Sequence, residues 1–514
     1  MDWGQRLSRS ARSNRARARK STFTPGFEQL ETRDVPAVTF SLSAAGVLSV
    51  NGTIGNDSIV LHQSGGKITV TGSTRSFNSS SVSALVVNAG KGNDTVNLYG
   101  LTQLWTKAIT VNSAAGTDNV KLLDGRWIQL RGLNQSLKIA ASGGGGGTTG
   151  DWFDNNIHDA ALRSLLRTDY GSSGVNRNEM LAVFNQVEND GIVNTTEFTD
   201  LKTLANNAWL FGSFSYVTDL TRSVILGNAA NAHFQGAALG NLAAGSSGAQ
   251  LNKLVDKWFL GADHPDASYS GLTVTYMAAA GTLFGSSGPK YTDVHQGGVG
   301  DCYFVATLGE IALRSPSAIQ NMFIVNGDGT YTVRFLQDGV AHFVTVDKQL
   351  PTYYGGYFLY ANMGGWYSDA TNVLWVALAE KAYVQMNEAG WLRPVEWGGG
   401  TNAYSGIAAG YFGDVVHQVV NHSCTDYYVN GASDASTLNY AWTNGKLIGF
   451  ASKSAPADSR IVGNHQYVVV GYYNATQTVT LFNPWGINNG TQYPGLVNLT
   501  LSQLESSFDF WSVA

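Results

Sequence analysis

One cysteine in this chain combines a reactive side chain with a context that favours its ionisation. Cys302 follows a glycine-rich turn, and apolar residues at helical spacing follow it, so the pattern predicts a helix that begins at this cysteine. The positive end of a helix dipole and its unpaired N–H groups stabilise a thiolate. Gln296, across the turn, carries an amide that can reach an oxyanion beside the sulfur. The alternative is a buried structural cysteine, which is the commoner kind.

A histidine and an asparagine much later in the chain would complete a nucleophilic site. His465 and Asn483 flank two segments rich in β-branched and aromatic residues, joined by the turn Asn-Ala-Thr-Gln. A hairpin with that turn brings both residues to the same open end. In such a site the imidazole takes the thiol proton and returns it to the leaving group, while the amide oxygen holds the ring in the useful tautomer. Trp485 would cover the His–Asn bond from water. Taken alone, His465 is more often an ordinary strand histidine.

Three motifs together resemble a known family. Gln-Gly-Gly-Val-Gly-Asp-Cys-Tyr-Phe at 296–304, Asn-His-Gln-Tyr at 464–467 and Asn-Pro-Trp-Gly at 483–486 are similar to motifs of the calpain family of papain-fold cysteine peptidases. They occur in the family's order and with similar spacing. The resemblance covers roughly residues 285–514, less than half of the chain.

The resemblance implies an α+β papain-like core with its active site in a cleft between two halves. The first half, about 285–395, would bring the cysteine, and the second, 396–514, the histidine and asparagine. The site would contain a nucleophile, a base, an orienting amide and an oxyanion donor: Cys302, His465, Asn483 and Gln296. Such chemistry requires no cofactor.

The chain departs from the family pattern at three places. Asn464 stands where the family usually has glycine, and Tyr303 stands where it usually has tryptophan. Calcium-activated members carry an acidic residue in the glycine-rich segment that matches 397–404, and this chain has none there. We therefore expect the core to be active without calcium, and any calcium effect to come from elsewhere in the chain.

Composition excludes several classes of function. A length of 514 residues suggests about three domains. The net charge is -5 and only 13% of residues are charged, so nothing indicates a nucleic-acid partner. No apolar run is long enough to predict a transmembrane segment. The two cysteines are Cys302 and Cys424, so a free Cys302 leaves no intrachain disulfide.

The first 37 residues are predicted to be a basic, disordered leader. They are rich in arginine and lack the apolar stretch of an ordinary signal peptide. Residues 27–37 resemble the Leu-Glu-x-Arg-x-x-Pro-Ala leader of many large bacterial surface and exported proteins. The expected location is therefore outside the cell or at the surface of a bacterium, with the cytoplasm as the alternative.

Residues 38–142 are predicted to form a β-rich repeat module. Three copies of strand, Gly–Asx turn and strand, near residues 48–61, 85–98 and 109–122, suggest a stacked solenoid. The copy at 89–96 resembles a calcium-binding nonapeptide of the RTX type. Turn formation by Asn, Asp and Gly explains these residues equally well.

A glycine-rich linker leads to a predicted helical domain at 151–284. Within it, residues 186–197 overlay an EF-hand loop, with Gly191 at the sixth position and a glutamate at the twelfth. Gln186 replaces the usual first aspartate, so a degenerate loop without metal is the alternative. The candidate calcium ligands are Glu188, Asp190, Asn194 and Glu197. This domain is a candidate intramolecular regulator of the core.

The sequence therefore predicts a multidomain protein: a solenoid-like β module, an α-helical middle domain and a calpain-like α+β core. The function expected from the core is endopeptidase activity on protein or peptide substrates. One alternative is a catalytically silent core that serves as a surface-binding or structural module, although a complete set of site residues argues against it. The other is a transglutaminase-like thiol acyltransferase, which an aspartate in place of Asn483 would favour.

Overall fold

The computed structural model describes most of the chain. It covers residues 38–139 and 152–514, apart from gaps at 65, 71–74, 99, 102–104, 106, 123–126, 132–134, 171–173 and 489. The basic leader predicted for 1–37 and the linker before the helical domain lie outside the described residues. Within the described ranges, no helix combines the length and the apolar character needed to cross a membrane.

The β-rich character predicted for the N-terminal region is confirmed. Its described strands form two sheets, ordered β1-β2-β6-β8-β11 and β10-β9-β7-β3-β4-β5. They are β1 (Thr39–Leu42), β2 (Val47–Asn51), β3 (Ser58–Ser64), β4 (Lys67–Val70), β5 (Ser76–Asn78), β6 (Ala84–Lys91), β7 (Thr95–Asn97), β8 (Ala108–Ala115), β9 (Thr117–Lys121), β10 (Trp127–Arg131) and β11 (Gln135–Ile139).

The three sequence copies stack in register. β2, β6 and β8 are parallel and align equivalent residues of the copies, as do β3, β7 and β9. The aspartates of the Gly–Asx turns bond to the neighbouring copy: the Asp57 N–H donates to Asp94 at 2.8 Å and the Asp94 N–H donates to Asp118 at 2.9 Å. Hydrogen bonds to these carboxylates thus join each turn to the next. Calcium binding at this stack stays a prediction.

A helical unit follows, with a core of its own. Its amphipathic segments are α1 (Trp152–Asn156), α2 (Ala160–Asp169), α3 (Arg177–Glu188), α4 (Thr195–Asn206), α5 (Ser215–Ile225) and α6 (Gly248–Trp258), with the short strands β12 (His233–Phe234) and β13 (Ala237–Ala238) between α5 and α6. Asn176 and Asn194 begin α3 and α4 with capping boxes, which satisfy the first N–H groups of both helices.

The Cys-bearing half of the core consists of helices packed on two small sheets. Its elements are β14 (Thr275–Ala278), α7 (Cys302–Arg314), α8 (Pro316–Gln320), β15 (Phe323–Val325), β16 (Tyr331–Gln337), β17 (Val340–Val346), β18 (Gln349–Tyr353), β19 (Tyr357–Phe358), α9 (Trp375–Asn387) and α10 (Phe412–Val420). The helices α7 and α9 are almost wholly buried, which explains their nearly continuous apolar sequence.

The other half is a six-stranded antiparallel sheet, ordered β20-β25-β21-β22-β23-β24. Its elements are β20 (Thr425–Tyr428), α11 (Ala435–Thr443), β21 (Ile448–Ser452), β22 (Gln466–Tyr473), β23 (Thr478–Phe482), β24 (Leu496–Thr500), α12 (Leu501–Ser507) and β25 (Phe508–Val513). The start of β22 packs against α7, so this sheet meets the Cys-bearing helix directly.

Two predicted boundaries need correction. The core begins before residue 285, because β14 pairs with β18 and Ala267 belongs to the same hydrophobic cluster as α7. The Cys-bearing half extends beyond 395, because the apolar face of α10 packs on α7 and β16. Both errors arose because the sequence boundaries were placed at glycine-rich stretches, and here those stretches are loops inside one packed unit.

The helical unit docks on the β16–β17 hairpin of the core. Phe343 of β17 is buried in the hydrophobic cluster of the helical unit, and its N–H donates to Asp219 at 2.8 Å. Arg177 forms an ion pair with Asp328 at 2.7 Å beside the same hairpin. A buried ion pair of Lys257 with Glu388, 2.6 Å long, adds a second link between the two units.

Candidate active site

Cys302 occupies the first position of α7, where the sequence predicted a helix start. Asp301 is the N-cap residue, and the glycine-rich turn Gly297–Gly300 leads into it. Gly297 has no room for a side chain, since a Cβ there would overlap the backbone of Tyr360. Glycine is thus required for the close approach that delivers Cys302 to the surface of a cleft.

The Cys302 thiol is not ionised by the helix end alone. Burial raises the pKa of Cys302 to about 11, although N–H groups of Gln466, Tyr303 and Cys302 itself favour the thiolate. The nearby Asp301 carboxyl also raises the thiol pKa. The N–H groups at the helix start thus favour the thiolate, as the sequence predicted, but desolvation of the buried sulfur outweighs them in the net pKa.

His465 and Asn483 lie together at the open end of the β22–β23 hairpin, as the sequence predicted. His465 Nε2 and Asn483 Oδ1 are 3.0 Å apart. The same Asn483 oxygen accepts the N–H of Trp485 at 3.1 Å, which identifies it as the acceptor and leaves the histidine proton on Nε2. The Nδ1 atom of His465 is then the unprotonated nitrogen.

The environment of His465 keeps its imidazole neutral. Burial lowers the pKa of His465 to about 4, while the bond to Asn483 acts in the opposite direction. The Trp485 ring lies 5.4 Å from the His465 ring, in the covering position expected for it, and Tyr467 contacts the ring edge-on at 5.2 Å. The resting pair is thus a neutral thiol and a neutral imidazole.

The backbone of His465 is held by Ser452, a residue to which sequence reasoning assigned no role, and is preceded by a left-handed turn at Asn464. The N–H of His465 donates to Ser452 Oγ at 2.9 Å, and the Ser452 N–H donates back to the His465 carbonyl at 2.9 Å. Asn464, the residue that replaces the family's glycine, has a left-handed φ of 51°. Asparagine adopts this region more readily than other residues with a Cβ, so the replacement preserves the turn before the histidine.

Gln296 connects the two halves at the cleft. Its N–H donates to the Pro484 carbonyl at 2.8 Å, one residue after Asn483. Its side-chain Nε2 donates to the Val299 carbonyl at 2.8 Å, and the side chain is 7% exposed. The amide thus faces the glycine-rich turn before Cys302, where the sequence expected an oxyanion donor.

These residues surround one cleft of about 620 Å³. Cys302, His465 and Gln296 all line it, whereas Asn483 is fully buried behind the histidine. The remaining lining residues are Tyr269, Gly297, Gly298, Val299, Gly300, Tyr303, Ala409, Gly410, Tyr411, Ala451, Ser452, Asn464, Gln466, Trp485, Asp509 and Phe510. None of them comes from the helical unit, and Asp509 is the one carboxylate among them. The described residues of the helical unit, 152–170 and 174–258, thus do not line the cleft.

Tyr303, the second departure from the family pattern, fastens one wall of the cleft. Its hydroxyl bonds to the Ile407 carbonyl at 3.1 Å and to the buried guanidinium of Arg393. Arg393 also donates to the carbonyls of Trp397 and Ala408, at 2.8 and 2.9 Å. The glycine-rich loop that has no acidic residue is therefore held by an internal cation, and the tyrosine hydroxyl takes part in holding it.

The residues predicted to bind calcium in the helical unit are engaged in the fold. Glu197 accepts the Asn194 N–H at 2.9 Å, and the Asn194 side chain caps α4. Asp190 accepts the Ile192 N–H at 3.2 Å, and Glu188 bonds to Asn252. In the described part of the chain, no three His, Cys, Asp or Glu residues cluster as a metal site. Calcium binding by this loop stays a prediction.

Comparison with known proteins assigns part of the chain to a family. Residues 275–495 match the family described as "Calpain family cysteine protease". Mouse calpain-8 is 28% identical over 219 residues, which are 39% of this chain and 28% of the relative. The rice calpain-type cysteine protease ADL1 is 30% identical over 205 residues, 38% of this chain and 9% of the relative. The chain thus spans well under a third of the length of these relatives.

Proposed function

Because residues 275–495 belong to the calpain family of cysteine proteases, we propose that this chain is an endopeptidase that hydrolyses protein substrates through Cys302, His465 and Asn483. The observation that carries the proposal is the single cleft lined by Cys302 and His465, with Asn483 bonded to the far side of the imidazole. We expect the hydrolysis itself to need no calcium.

The neutral resting pair defines the first step. The Cys302 sulfur attacks the peptide carbonyl carbon while its proton moves to His465 Nδ1, so a C–S bond forms and the carbonyl π electrons move to oxygen. Asn483 holds the ring and stabilises the imidazolium by accepting the Nε2 proton. Proton transfer is coupled to attack, because neither the thiolate nor the imidazolium is favoured before substrate arrives.

The oxyanion of the tetrahedral intermediate needs donors beside the sulfur. The Cys302 N–H at the start of α7 and the Gln296 amide are the groups that we assign to it. The intermediate collapses when His465 gives its proton to the leaving amine, which breaks the C–N bond and leaves a thioester. Water, deprotonated by the same histidine, then hydrolyses the thioester and regenerates the thiol.

Casein digestion by the purified full-length chain tests the proposal. We expect Cys302→Ala to abolish digestion, since the nucleophile is lost. Cys424→Ser is the matched thiol control, because Cys424 does not line the cleft, and it should retain activity within a few-fold. Digestion that survives in Cys302→Ala, or a folded but inactive Cys424→Ser, contradicts the assignment. Adding a labelled primary amine to the same assay identifies acyl transfer, which would favour the transglutaminase-like alternative.

A further inference from the structure

The residue before Cys302 is a buried aspartate whose side chain does not cap the helix that follows it. Asp301 is the N-cap of α7 and is fully buried, yet its side chain makes no capping bond. An aspartate at this position normally accepts an N–H of the first helical turn. Neither Asp301 oxygen receives a well-formed hydrogen bond from a donor of the described chain. The side chain therefore does not satisfy the first N–H groups of α7.

A second buried carboxyl lies next to that of Asp301. Glu380, in the middle of α9, is 1% exposed, and one of its oxygens accepts the Ala361 N–H at 3.0 Å. Its other oxygen also lacks an ordinary donor. The carboxyls of Asp301 and Glu380 are within hydrogen-bonding reach of each other, and burial raises the pKa of both, that of Asp301 to about 7.

Two buried carboxyls in contact cannot both be ionised, so one proton bonds them together. Other groups close to the two carboxyls change how readily they ionise, but none of them takes the place of the shared proton. Arg393 favours ionisation of Asp301, and the Gln296 amide is within reach of the same carboxyl. The neighbouring titratable side chains are Cys302, Tyr303, Tyr360 and Tyr404.

We propose that Asp301 and Glu380 share one proton and act as positioning residues for Cys302. With the Asp301 carboxyl bonded to Glu380 and making no capping bond, the N–H groups of Cys302 and Tyr303 remain available to favour the thiolate. It also spreads a single negative charge over two residues, only one of which adjoins the thiol. This inference rests on the proposed function, because it concerns the same nucleophile, but its test does not require peptide hydrolysis.

The test is the rate of Cys302 alkylation by iodoacetamide as a function of pH, in full-length protein carrying Cys424→Ser. This rate follows the thiolate fraction. Asp301→Asn removes the carboxylate that adjoins the sulfur and should increase the thiolate fraction at fixed pH by about threefold or more. Glu380→Gln confines the charge to Asp301, beside the sulfur, and should decrease it by a similar factor. A shared proton therefore predicts that these two isosteric replacements change the thiolate fraction in opposite directions.

A purely structural role for the pair would shift both variants in the same direction, and that result overturns the proposal. A pH profile of alkylation that is unchanged in both variants also overturns the proposal. Glu310→Gln is the matched control, because Glu310 is equally buried in α7 but bonds to Arg314 and the Ile448 N–H instead of approaching the thiol. It should leave the alkylation profile unchanged.

Folding and function can be separated in this test. Circular dichroism identifies a variant that fails to fold. If Glu380→Gln does not fold, Asp301→Asn alone decides: a thiolate fraction that is unchanged or lower overturns the proposal. If casein digestion proves independent of Cys302 while the two alkylation shifts have opposite signs, the proposed function fails and the carboxyl pair stands.

Discussion

The bond between His465 and Asn483 allows a quantitative prediction. Replacing Asn483 with alanine removes the acceptor of the His465 Nε2 proton, a bond 3.0 Å long, and the acceptor of the Trp485 N–H. His465 is only 7% exposed, so water does not readily replace the lost partner. An unsatisfied buried donor costs about 1–3 kcal/mol, which corresponds to a loss of about 5- to 150-fold in the productive orientation of the ring.

His465→Ala removes proton transfer itself and should cost about 10²–10⁴-fold. We therefore expect kcat/KM to fall in the order wild type, Asn483→Ala, His465→Ala. The assay is hydrolysis of a fluorogenic peptide between pH 5 and 9, with Cys302→Ala as the background. Because the bond to Asn483 raises the pKa of His465, Asn483→Ala should lower that pKa further.

Asn483→Asp is the informative control for this prediction. It keeps an oxygen acceptor near Nε2 and adds a negative charge, which raises the pKa of the imidazole. Its activity should exceed that of Asn483→Ala. Equal losses in Asn483→Ala and His465→Ala at every pH, or a greater loss in Asn483→Ala, would refute the orienting role.

Three further predictions concern calcium, Tyr303 and pH. Casein digestion by the full-length chain should not require calcium, because the Gln296 N–H already joins the two halves at Pro484. Strict calcium dependence, seen as loss of digestion with a chelator, would reveal a calcium site in the core, the helical unit or the β module that controls the cleft. Tyr303→Phe should lower the free energy of unfolding, measured in urea, by about 1–3 kcal/mol, since Arg393 and a carbonyl lose their partner; an unchanged value contradicts this role. Stability should fall as pH rises from 5 to 8, because the raised pKa of Asp301, about 7, means that the folded state retains a proton that the unfolded state has lost. Thermal unfolding of Glu380→Gln should show a weaker dependence, and the remainder comes from other buried carboxyls with raised pKa values, such as Glu310 and Glu388; an undiminished dependence contradicts the contribution of the pair.

The docking of the helical unit on the core shows how a calcium effect from that unit could be tested. A calcium effect that the helical unit exerts on the core would have to pass through contacts between the two, which include the Asp219 bond to the β16–β17 hairpin and the Lys257–Glu388 ion pair. Asp219→Ala weakens the hairpin contact without touching the cleft. A calcium effect that persists unchanged in that variant would exclude the hairpin contact as its route.

Local sequence patterns determined where each candidate residue lies in its own element, whereas the resemblance alone implied that the helix and the hairpin meet. A glycine-rich turn followed by apolar residues at helical spacing is enough to place Cys302 at a helix start, since both signals act within a few residues. The β22–β23 hairpin is likewise a local unit, so the positions of His465, Asn483 and the covering Trp485 followed from its turn. The repeated Gly–Asx turns predicted the β-rich module for the same reason.

Tertiary packing decided the properties that those residues acquire. The pKa of Cys302 rises because neighbours from distant parts of the chain exclude water, and no spacing within the sequence encodes that desolvation. The assignment of α10 to the Cys-bearing half depends on which surface covers its apolar face. The contact of Asp301 with Glu380 joins residues of two helices, and each alone reads as an ordinary acidic residue. Sequence therefore identified the candidate residues of the site, whereas the fold set their charges, because electrostatic energies in a buried site depend on everything packed around it.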